Sequence, residues 1–230
     1  MTPAVTLVSV REVNPMVSDV DALRAIERAP LRTVRPQDLE PDLSHARRTI
    51  ARLVDRGALV RLAKGVYAAP PEGRDGRQWR PTLEAAGLAV ATARFGNRNA
   101  ILMGLGAARH WAAIPRAIGV TTVAIPEAGR PPVTLDTGGI VHLVPRDVDR
   151  LDAVLEQNEL GRALVTTRAQ TLYDLLMKPG QGGLPDEVMD AARHLRGQVG
   201  PADLRRVVDT FGRANAAVRG ALDEMEAGRQ

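Results

Sequence analysis

Residues 43–70 read LSHARRTIARLVDRGALVRLAKGVYAAP, a helical pattern followed directly by a strand–turn–strand pattern. At 3.6 residues per turn, one face of the helix is apolar and carries Ala46, Ile50, Leu53 and Val54. The opposite face is polar and mostly cationic, with His45, Arg48, Thr49, Arg52 and Arg56, and Arg47 at its border. Arginines at this spacing repel one another by roughly 0.2–0.5 kcal/mol per pair. An anionic partner would relieve the repulsion, but a merely solvated basic face is an equally open interpretation.

The pattern after the helix predicts a two-stranded hairpin. Gly57 is the type of residue that ends helices. Residues 58–62 predict a strand, Ala63-Lys64-Gly65 a turn, and residues 66–69 the returning strand. Because an isolated hairpin is marginally stable in water, this one must pack on the helices before it. Its polar side chains, Arg61, Lys64 and Tyr67, would then lie on a wing beside the basic helix.

The positive charge of the chain is concentrated near its N-terminus. Residues 1–80 hold 14 Lys and Arg against 10 Asp and Glu, whereas residues 81–230 hold 17 of each kind. Such a local excess of basic residues is typical of proteins that bind the phosphate backbone of nucleic acids. Aromatic residues make up only 3% of the chain, which disfavours stacking on single-stranded bases. Duplex DNA is therefore the expected partner.

Composition excludes several other classes of protein. The chain contains no cysteine, so disulfides and thiolate metal sites are excluded, and a cytoplasmic location is expected. The sequence has no run of about 18 apolar residues, so we expect no membrane span. Residues 1–17 lack the pattern of a signal peptide and are expected to be a loose, disordered leader.

Two shorter helices are expected before the basic one. Ser18 and the acids after it predict a helix that ends near Arg28, and residues 31–34 are expected to be an extended link. Pro36 favours the first turn of a second helix. We therefore predict an α+β protein in four parts: a leader at 1–17, a winged helix-turn-helix at 18–70, a linker at 71–81, and a mixed α/β C-terminal domain with a helical tail at 82–230.

The usual docking of a helix-turn-helix predicts which side chains face the DNA. Residues at the start of the recognition helix, which is the basic helix here, reach base edges, and later residues contact phosphates. Arg52, Arg61 and Lys64 are the predicted phosphate contacts, and His45 could equally be a capping or surface histidine. The predicted DNA-binding residues are, in full, Ser44, His45, Arg47 and Arg48 as base readers, with Thr49, Arg52, Arg61, Lys64 and Tyr67.

The second domain is predicted to mix helices with strands. We expect helices at 83–95, 100–113, 148–160, 168–177, 185–195, 201–211 and 214–226, and strands at 120–125, 133–135, 140–145 and 164–166. Residues 104–109, GLGAAR, half-resemble a dinucleotide-binding motif. We reject that interpretation because no strand is expected before it, Arg109 ends it, and no acidic residue follows at the required distance. Close helix packing is the favoured role, with Trp111 in the core.

No motif in the sequence predicts catalysis. HExxH, P-loop and GxSxG motifs are absent, and the four histidines, His45, His110, His142 and His194, lack the spacing of metal ligands. Asp174 could be a catalytic carboxylate, but a position on a helix surface is the favoured interpretation. We therefore expect a protein that is not an enzyme and has no cofactor or metal.

Three segments together resemble the AbiEi family, the type IV, MenA-like antitoxins of AbiE/MenAT toxin–antitoxin systems. They are RGALVRLAKGVYAAP at 56–70, ILMGLGAARHWAAIP at 101–115 followed by TTVAIP at 121–126, and VTTRAQTLYDLLMKPGQGGLP at 165–185. The resemblance implies an N-terminal winged helix that binds operator repeats and represses its own operon. It also implies a C-terminal domain that counteracts a nucleotidyltransferase-like toxin. It transfers DNA contact only to the helix and wing residues already named, and assigns no residue to antitoxicity.

A second function stays open at this stage. An ordinary winged-helix transcriptional regulator whose C-terminal domain senses a small ligand would show the same N-terminal pattern. The neighbouring gene distinguishes the two, because a nucleotidyltransferase-like reading frame beside this one would favour the antitoxin.

Overall fold

The computed structural model describes residues 18–228 apart from Asp42 and Ser44. The predicted leader at 1–17 and the predicted base reader Ser44 therefore lie outside the described residues. The N-terminal part contains α1 (Asp19–Arg28), β1 (Thr33–Val34), α2 (Pro36–Leu39), α3 (Ala46–Asp55), β2 (Val60–Ala63) and β3 (Val66–Ala68). The helices and the hairpin predicted here are confirmed, with a turn shortened to Lys64-Gly65 because Ala63 pairs with Val66 in the sheet.

The remaining elements alternate between helices and strands before a helical tail. They are α4 (Leu83–Phe95), β4 (Ile101–Met103), α5 (Gly104–His110), β5 (Val120–Ile125), β6 (Val133–Thr134), β7 (Ile140–Pro145), β8 (Ala153–Asn158), β9 (Gly161–Thr166), α6 (Arg168–Met177), α7 (Pro185–Arg196), α8 (Pro201–Phe211) and α9 (Ala216–Ala227). The predicted fold class, a winged helix followed by a mixed α/β part with a helical tail, is confirmed.

The three N-terminal strands form one antiparallel sheet that is buried on both faces. Its order is β1-β3-β2. Because side chains alternate along a strand, successive residues face different layers. Leu59, Tyr67 and Ala69 pack on the helical core formed by Ile26, Leu39, Ile50 and Leu53. Val60, Leu62, Val66 and Ala68 belong instead to the core that continues through α4 and the larger sheet.

The link between α1 and β1 also enters the core of the second part. Residues 31–34 are not simply extended, as predicted: Pro30–Arg32 form a short 3-10 turn in which Leu31 and Arg32 have φ values of 51° and 52°. Such left-handed backbone costs about 1–3 kcal/mol for a residue other than glycine. Leu31 is 4% exposed, and its burial offsets that cost. Arg32 holds the turn by donating to the carbonyls of Ala69 and Pro70 at 3.1 and 2.9 Å.

The predicted linker at 71–81 packs on the N-terminal part rather than spanning open solvent. The amide of Gly76 donates to the carbonyl of Gly57 at 2.7 Å, next to the end of α3. Trp79 is half-buried against the core shared with α4. The boundary at 71–81 stays a prediction, but the hydrophobic core of the described chain continues across it.

The larger sheet has six strands in the order β6-β7-β5-β4-β9-β8. The pairs β7–β5 and β4–β9 are parallel, and the other three pairs are antiparallel. Helix α4 lies on one face, where Gly87 faces Thr121 and Val141. Phe211 at the end of α8 packs on the other face, and α5 to α9 share a helical core beside it.

The helix predicted at 148–160 is wrong, and the helix predicted at 100–113 is only partly right, because strands of this sheet occupy residues of both. Within residues 100–113, Ile101–Met103 form β4, and Gly104 with φ 52° begins the short helix α5. Within residues 148–160, a 3-10 turn at Val148–Arg150 is followed by β8, which pairs along its whole length with β9. Local alanine and leucine content favoured helices, but pairing within the sheet outweighs that weak preference.

The glycine motif at 104–109 therefore does follow a strand, contrary to our first reason for rejecting dinucleotide binding. The rejection stands for another reason, because β5 runs antiparallel beside β4. A dinucleotide fold requires a parallel crossover there. A Cβ on Gly106 would lie 2.6 Å from Leu102 Cδ1 and would also collide with Thr121 Oγ1. Close packing is the role of this glycine. Trp111, expected in the core, is half-buried and donates its indole N–H to the carbonyl of Thr166 at 2.8 Å.

Asp174 is buried, although the sequence favoured the surface of a helix. It is 6% exposed, its Oδ1 accepts from Gln170 at 3.1 Å, and its Oδ2 has no hydrogen-bond partner among the described residues. Burial raises the pKa of Asp174 to about 7, opposed by the charge of Arg146 and by the hydrogen bond from Gln170. The carboxyl group of Asp174 is therefore enclosed by its neighbours and does not lie on the surface of α6.

Replacement of Gly106 by alanine should destabilise the protein, because the added methyl group collides with Leu102 and Thr121. We expect a loss of about 1–3 kcal/mol in the free energy of unfolding, measured by urea denaturation. Gly220→Ala is the matched control. A methyl group added at Gly220 in α9 would meet no neighbouring atom of the described residues within 4 Å, so this change should stabilise the helix by about 0.5–1 kcal/mol. Equal effects of the two changes would contradict the packing role.

The stability of the protein should fall as pH rises through about 7. In the unfolded chain, Asp174 titrates near its ordinary value of 3.8, whereas the folded protein retains the proton up to about pH 7. The folded state therefore gains stability below the ordinary pKa and loses it as the pH rises through the folded pKa. The loss accumulates between about pH 4 and pH 7 and should be on the order of 4 kcal/mol in all.

Asp174→Asn should remove this pH dependence and should exceed the wild-type stability at pH 8. Urea denaturation at pH 5 and pH 8 measures both effects. Asp209→Asn, at an exposed position of α8, is the control and should keep the wild-type profile. A wild-type profile in the Asp174→Asn variant would show that this carboxyl group does not cause the dependence.

Candidate nucleic-acid interface

Helix α3 has one buried face and one exposed cationic face. Ala46, Ile50 and Leu53 are each at most 3% exposed and pack against α1, α2 and the small sheet. Thr49 is also buried at 3% exposure, so its expected place on the polar face is wrong. The helical wheel put Thr49 on the polar face, but the neighbouring Arg52 lies over it and donates from Nη2 to Thr49 Oγ1 at 3.1 Å. In the free protein, Thr49 cannot contact DNA without movement of its neighbours.

The predicted base readers within the described chain are exposed at the start of α3. His45 is the N-cap residue but makes no side-chain capping hydrogen bond, and its side chain is exposed. Arg47 is 84% exposed and lies 3.6 Å from a carboxylate oxygen of Glu40. Arg48 is exposed and forms no ion pair with any residue of the described chain. These three side chains form the accessible start of the cationic face, at the positively polarised end of the helix.

Asp19 forms ion pairs with the two arginines of the C-terminal half of the cationic face. The Nη2 and Nε atoms of Arg52 donate to the two carboxylate oxygens of Asp19 at 2.5 and 3.2 Å, and Arg56 Nη1 donates at 3.2 Å. The hydrogen bond from Arg52 holds the pKa of Asp19 below its ordinary value, and the same bond raises the pKa of Arg52. A single carboxylate on α1 therefore relieves the repulsion between arginines that the sequence pointed to. No sequence signal links residues 19 and 52, since the contact exists only after α1 packs on α3.

The wing residues lie against the second part of the chain and not only beside α3. Arg61 forms an ion pair with Asp136, and the amide of Asp136 donates to the carbonyl of Leu62 at 2.8 Å. Tyr67 is half-buried over the helical core. Lys64 is exposed at the tip of the turn. The hairpin packs on the helices, as expected, and also on the second part of the chain, because the side chains of its alternate residues join two cores.

The arrangement suits contact with a duplex through the start of α3. Two exposed arginines on one helical turn can reach guanine O6 and N7 or the flanking phosphates. Among residues 18–41, 43 and 45–228, no group of three or more His, Asp or Glu side chains has the geometry of a metal site. In the same residues, no helix is long and apolar enough to cross a membrane.

Comparison with known proteins matches the N-terminal part to a family and the whole fold to a solved structure. The family model described as "Transcriptional regulator, AbiEi antitoxin" matches residues 21–70. The crystal structure of the RV2827C protein from Mycobacterium tuberculosis has a similar fold, with a TM-score of 0.56 and 21% sequence identity. The likeness covers 88% of this chain and 75% of that chain, and at this identity it concerns the fold alone. No curated protein gave a match.

The matched segment contains α1, α2, α3 and the small sheet, the elements that position the cationic face described above. The family comprises transcriptional regulators that act as antitoxins, a regulatory kind of protein rather than an enzymatic one. Through residues 21–70, the N-terminal part of this chain is thus similar to the AbiEi antitoxin transcriptional regulators.

Proposed function

We propose that this protein binds operator DNA through the start of α3, represses its own toxin–antitoxin operon in the cytoplasm, and counteracts a nucleotidyltransferase-like toxin through its second part. The observation that carries the DNA-binding half is the one-sided exposure of α3. Its apolar face is sealed in the helical core, while Arg47 and Arg48 extend from its first turn. A helix held in this way presents its N-terminal residues to a major groove.

Asp19 sets how strongly the protein binds duplexes of any sequence. Because its carboxylate is bonded to Arg52 and Arg56, phosphate contact by these arginines must compete with an existing ion pair. Such pairing weakens the sequence-independent part of DNA binding, which is mainly electrostatic. Arg48 at the start of the helix has no acidic partner among the described residues and keeps its full capacity for base contact. Weaker phosphate contact together with unchanged base contact favours binding to operator DNA over binding to DNA of unrelated sequence.

The proposed action on a toxin is supported by the family resemblance and by the presence of a second part of the chain that is distinct from the cationic face of α3. The cationic face of α3 belongs to the N-terminal part, so a second task falls to the second part, whose residues 81–230 carry equal numbers of acidic and basic side chains. An exposed six-residue edge strand, β8, and the helices α7 to α9 are the surfaces available there. Binding to the toxin and indirect antagonism are both compatible with these surfaces.

A ligand-sensing regulator is the second candidate, and one cavity favours it. A pocket of about 260 Å³ lies between α4, α5 and the β8–β9 hairpin. Its wall carries the ion pair between Arg109 and Glu84 at 2.8 Å, and His110 lies 3.4 Å from Glu156. Charged groups of both signs suit a small zwitterionic or polar molecule. Derepression of a reporter by a metabolite, with no effect on a neighbouring toxin, would favour this candidate over the antitoxin.

Replacement of Arg48 by alanine should weaken binding to the operator more than binding to unrelated duplex. An arginine that reads guanine contributes about 1–3 kcal/mol of discrimination, so we expect a roughly 5- to 100-fold loss of specificity. Gel-shift titrations with the upstream region and with a scrambled duplex measure it. Arg162→Ala, at an exposed arginine of β9, is the charge-matched control and should keep the wild-type ratio. An unchanged ratio in the Arg48→Ala variant would contradict base reading by this residue.

Asp19→Asn should have the opposite effect, because it releases Arg52 and Arg56 for phosphate contact. We expect tighter binding to scrambled duplex at low salt, and a plot of log affinity against log salt that steepens by about one to two. Asp21→Asn is the control, because it removes a neighbouring charge of α1 that is hydrogen-bonded to Ser18. A salt dependence identical in the two variants would show that Asp19 does not restrain the arginines.

The cellular test uses a reporter under the upstream region, with the neighbouring gene expressed separately. Full-length protein should repress the reporter and should restore growth when the neighbouring protein is toxic. The Arg48→Ala variant should lose repression but keep growth rescue, since the two tasks use different surfaces. If the Arg48→Ala variant keeps both repression and growth rescue, α3 does not bind the operator. If the neighbouring protein is not toxic, the antitoxin function is contradicted.

A further inference from the structure

A basic groove lies where the tip of the wing meets the second part of the chain. The groove has a volume of about 490 Å³ and is bounded by the start of α2, the turn of the hairpin, the end of α4 and the loop between β5 and β6. Its polar wall consists of Arg35, Gln37, Lys64, Arg94, Arg130 and Glu127. Two of the four cations come from the winged helix and two from the second part, so the groove exists only in the assembled fold.

Arg94 is a half-buried cation without an acidic partner in the described residues. It is the last basic residue of α4 and forms no hydrogen bond or ion pair there. Burial lowers the pKa of Arg94, and the nearby charges of Arg35 and Arg130 lower it further. A guanidinium that is partly desolvated among like charges is unfavourable unless an anion neutralises it. The fold nevertheless keeps three arginines together at this point.

The two acidic residues in reach leave an excess of positive charge. Asp38 accepts from Arg35 Nη2 and Nε at 2.8 and 3.1 Å, and Glu127 accepts from Arg130 Nε at 3.0 Å. Neither carboxylate pairs with Arg94 or Lys64 in the residues that the structure describes. Arg130 is fixed from below by Phe95, with its guanidinium carbon 5.8 Å from the ring centre. Four cations thus meet two carboxylates.

We propose that this groove binds phosphate oxyanions and thereby bridges the winged helix and the second part. Arginine guanidinium groups bind phosphate through paired, parallel hydrogen bonds, and lysine adds a point charge. A phosphate monoester carries a charge of about −1.5 to −2, which complements four cations that face only two carboxylates. A ligand with a single carboxylate group would neutralise less of the positive charge of the groove than a phosphate monoester does. The amide of Gln37 adds a donor at the rim of the groove.

The phosphate can come from the backbone of duplex DNA or from a free phosphorylated molecule. If it comes from DNA, the contact surface extends from α3 past the wing onto the second part. If it comes from a small molecule, the ligand ties the wing to the second part at a site separate from the cavity beside Arg109. The chemistry of the groove is the same in both cases, and the proposal does not depend on base reading by α3.

Titration of the full chain with pyrophosphate by isothermal titration calorimetry tests the site without DNA. We expect saturable binding that weakens at least tenfold in Arg94→Gln and measurably in Lys64→Gln. Lys64 is exposed, so its replacement keeps the fold even if the Arg94 variant is unstable. Arg162→Gln removes a charge outside the groove and should bind pyrophosphate as the wild type does.

A second arm measures the salt dependence of scrambled-duplex binding with the same variants. A shallower slope for Arg94→Gln and Lys64→Gln, by about one per lost phosphate contact, assigns the groove to the DNA backbone. Specific pyrophosphate binding with an unchanged slope assigns it to a free phosphorylated ligand. The proposal is overturned if both groove variants match Arg162→Gln in pyrophosphate affinity and in slope. Loss of operator specificity in the α3 variant affects neither arm, so failure of the proposed function is distinguishable.

Discussion

The small sheet β1-β3-β2 is buried on both faces, and this constraint governs the rest of the molecule. One face completes the core beneath α1, α2 and α3, and the other joins the core of α4 and the six-stranded sheet. Val60, Leu62, Val66 and Ala68 are each at most 5% exposed because of that second contact. Burial of this kind contributes roughly 1.5–3 kcal/mol for each large side chain. The main structural role of the hairpin is therefore to connect the two hydrophobic cores of the protein.

This connection determines which cationic residues are available to a partner. Arg61 is fixed by Asp136, and the turn that carries Lys64 opens toward the groove shared with α4. Helix α3 has an exposed cationic face, and Asp19 restrains the C-terminal half of that face. What stays accessible is the first turn, with Arg48 and with Arg47, which lies 3.6 Å from a carboxylate oxygen of Glu40. Packing and charge pairing thus narrow a broadly basic segment to a small surface that suits base recognition.

Local sequence patterns predicted the N-terminal part because its elements are set by local rules. The one-sided apolar pattern of α3, the proline at the start of α2 and the glycine turn of the hairpin each act over a few residues. Residues 101–103 were predicted as helix because their pairing partners, β5 and β9, lie far away in the sequence. Residues 153–158 pair with the adjacent strand β9, but their alanine and leucine content resembled that of a helix. The contacts of Asp19 with Arg52, of Arg61 with Asp136, and of Leu31 with the second core arise from tertiary packing alone. The same holds for the burial of Asp174, which its helix sequence gave no means to detect.

The hairpin joins two cores, and we propose that the start of α3 meets the DNA. Amide hydrogen exchange of the full chain, with and without operator duplex, tests both statements in one measurement. We expect the amides of β2 and β3 to exchange slowly in the free protein and to change little on DNA binding. The first turn of α3 should gain protection in the complex. Rapid exchange in the free hairpin, followed by protection of the hairpin and not of α3 when DNA is added, would contradict the account.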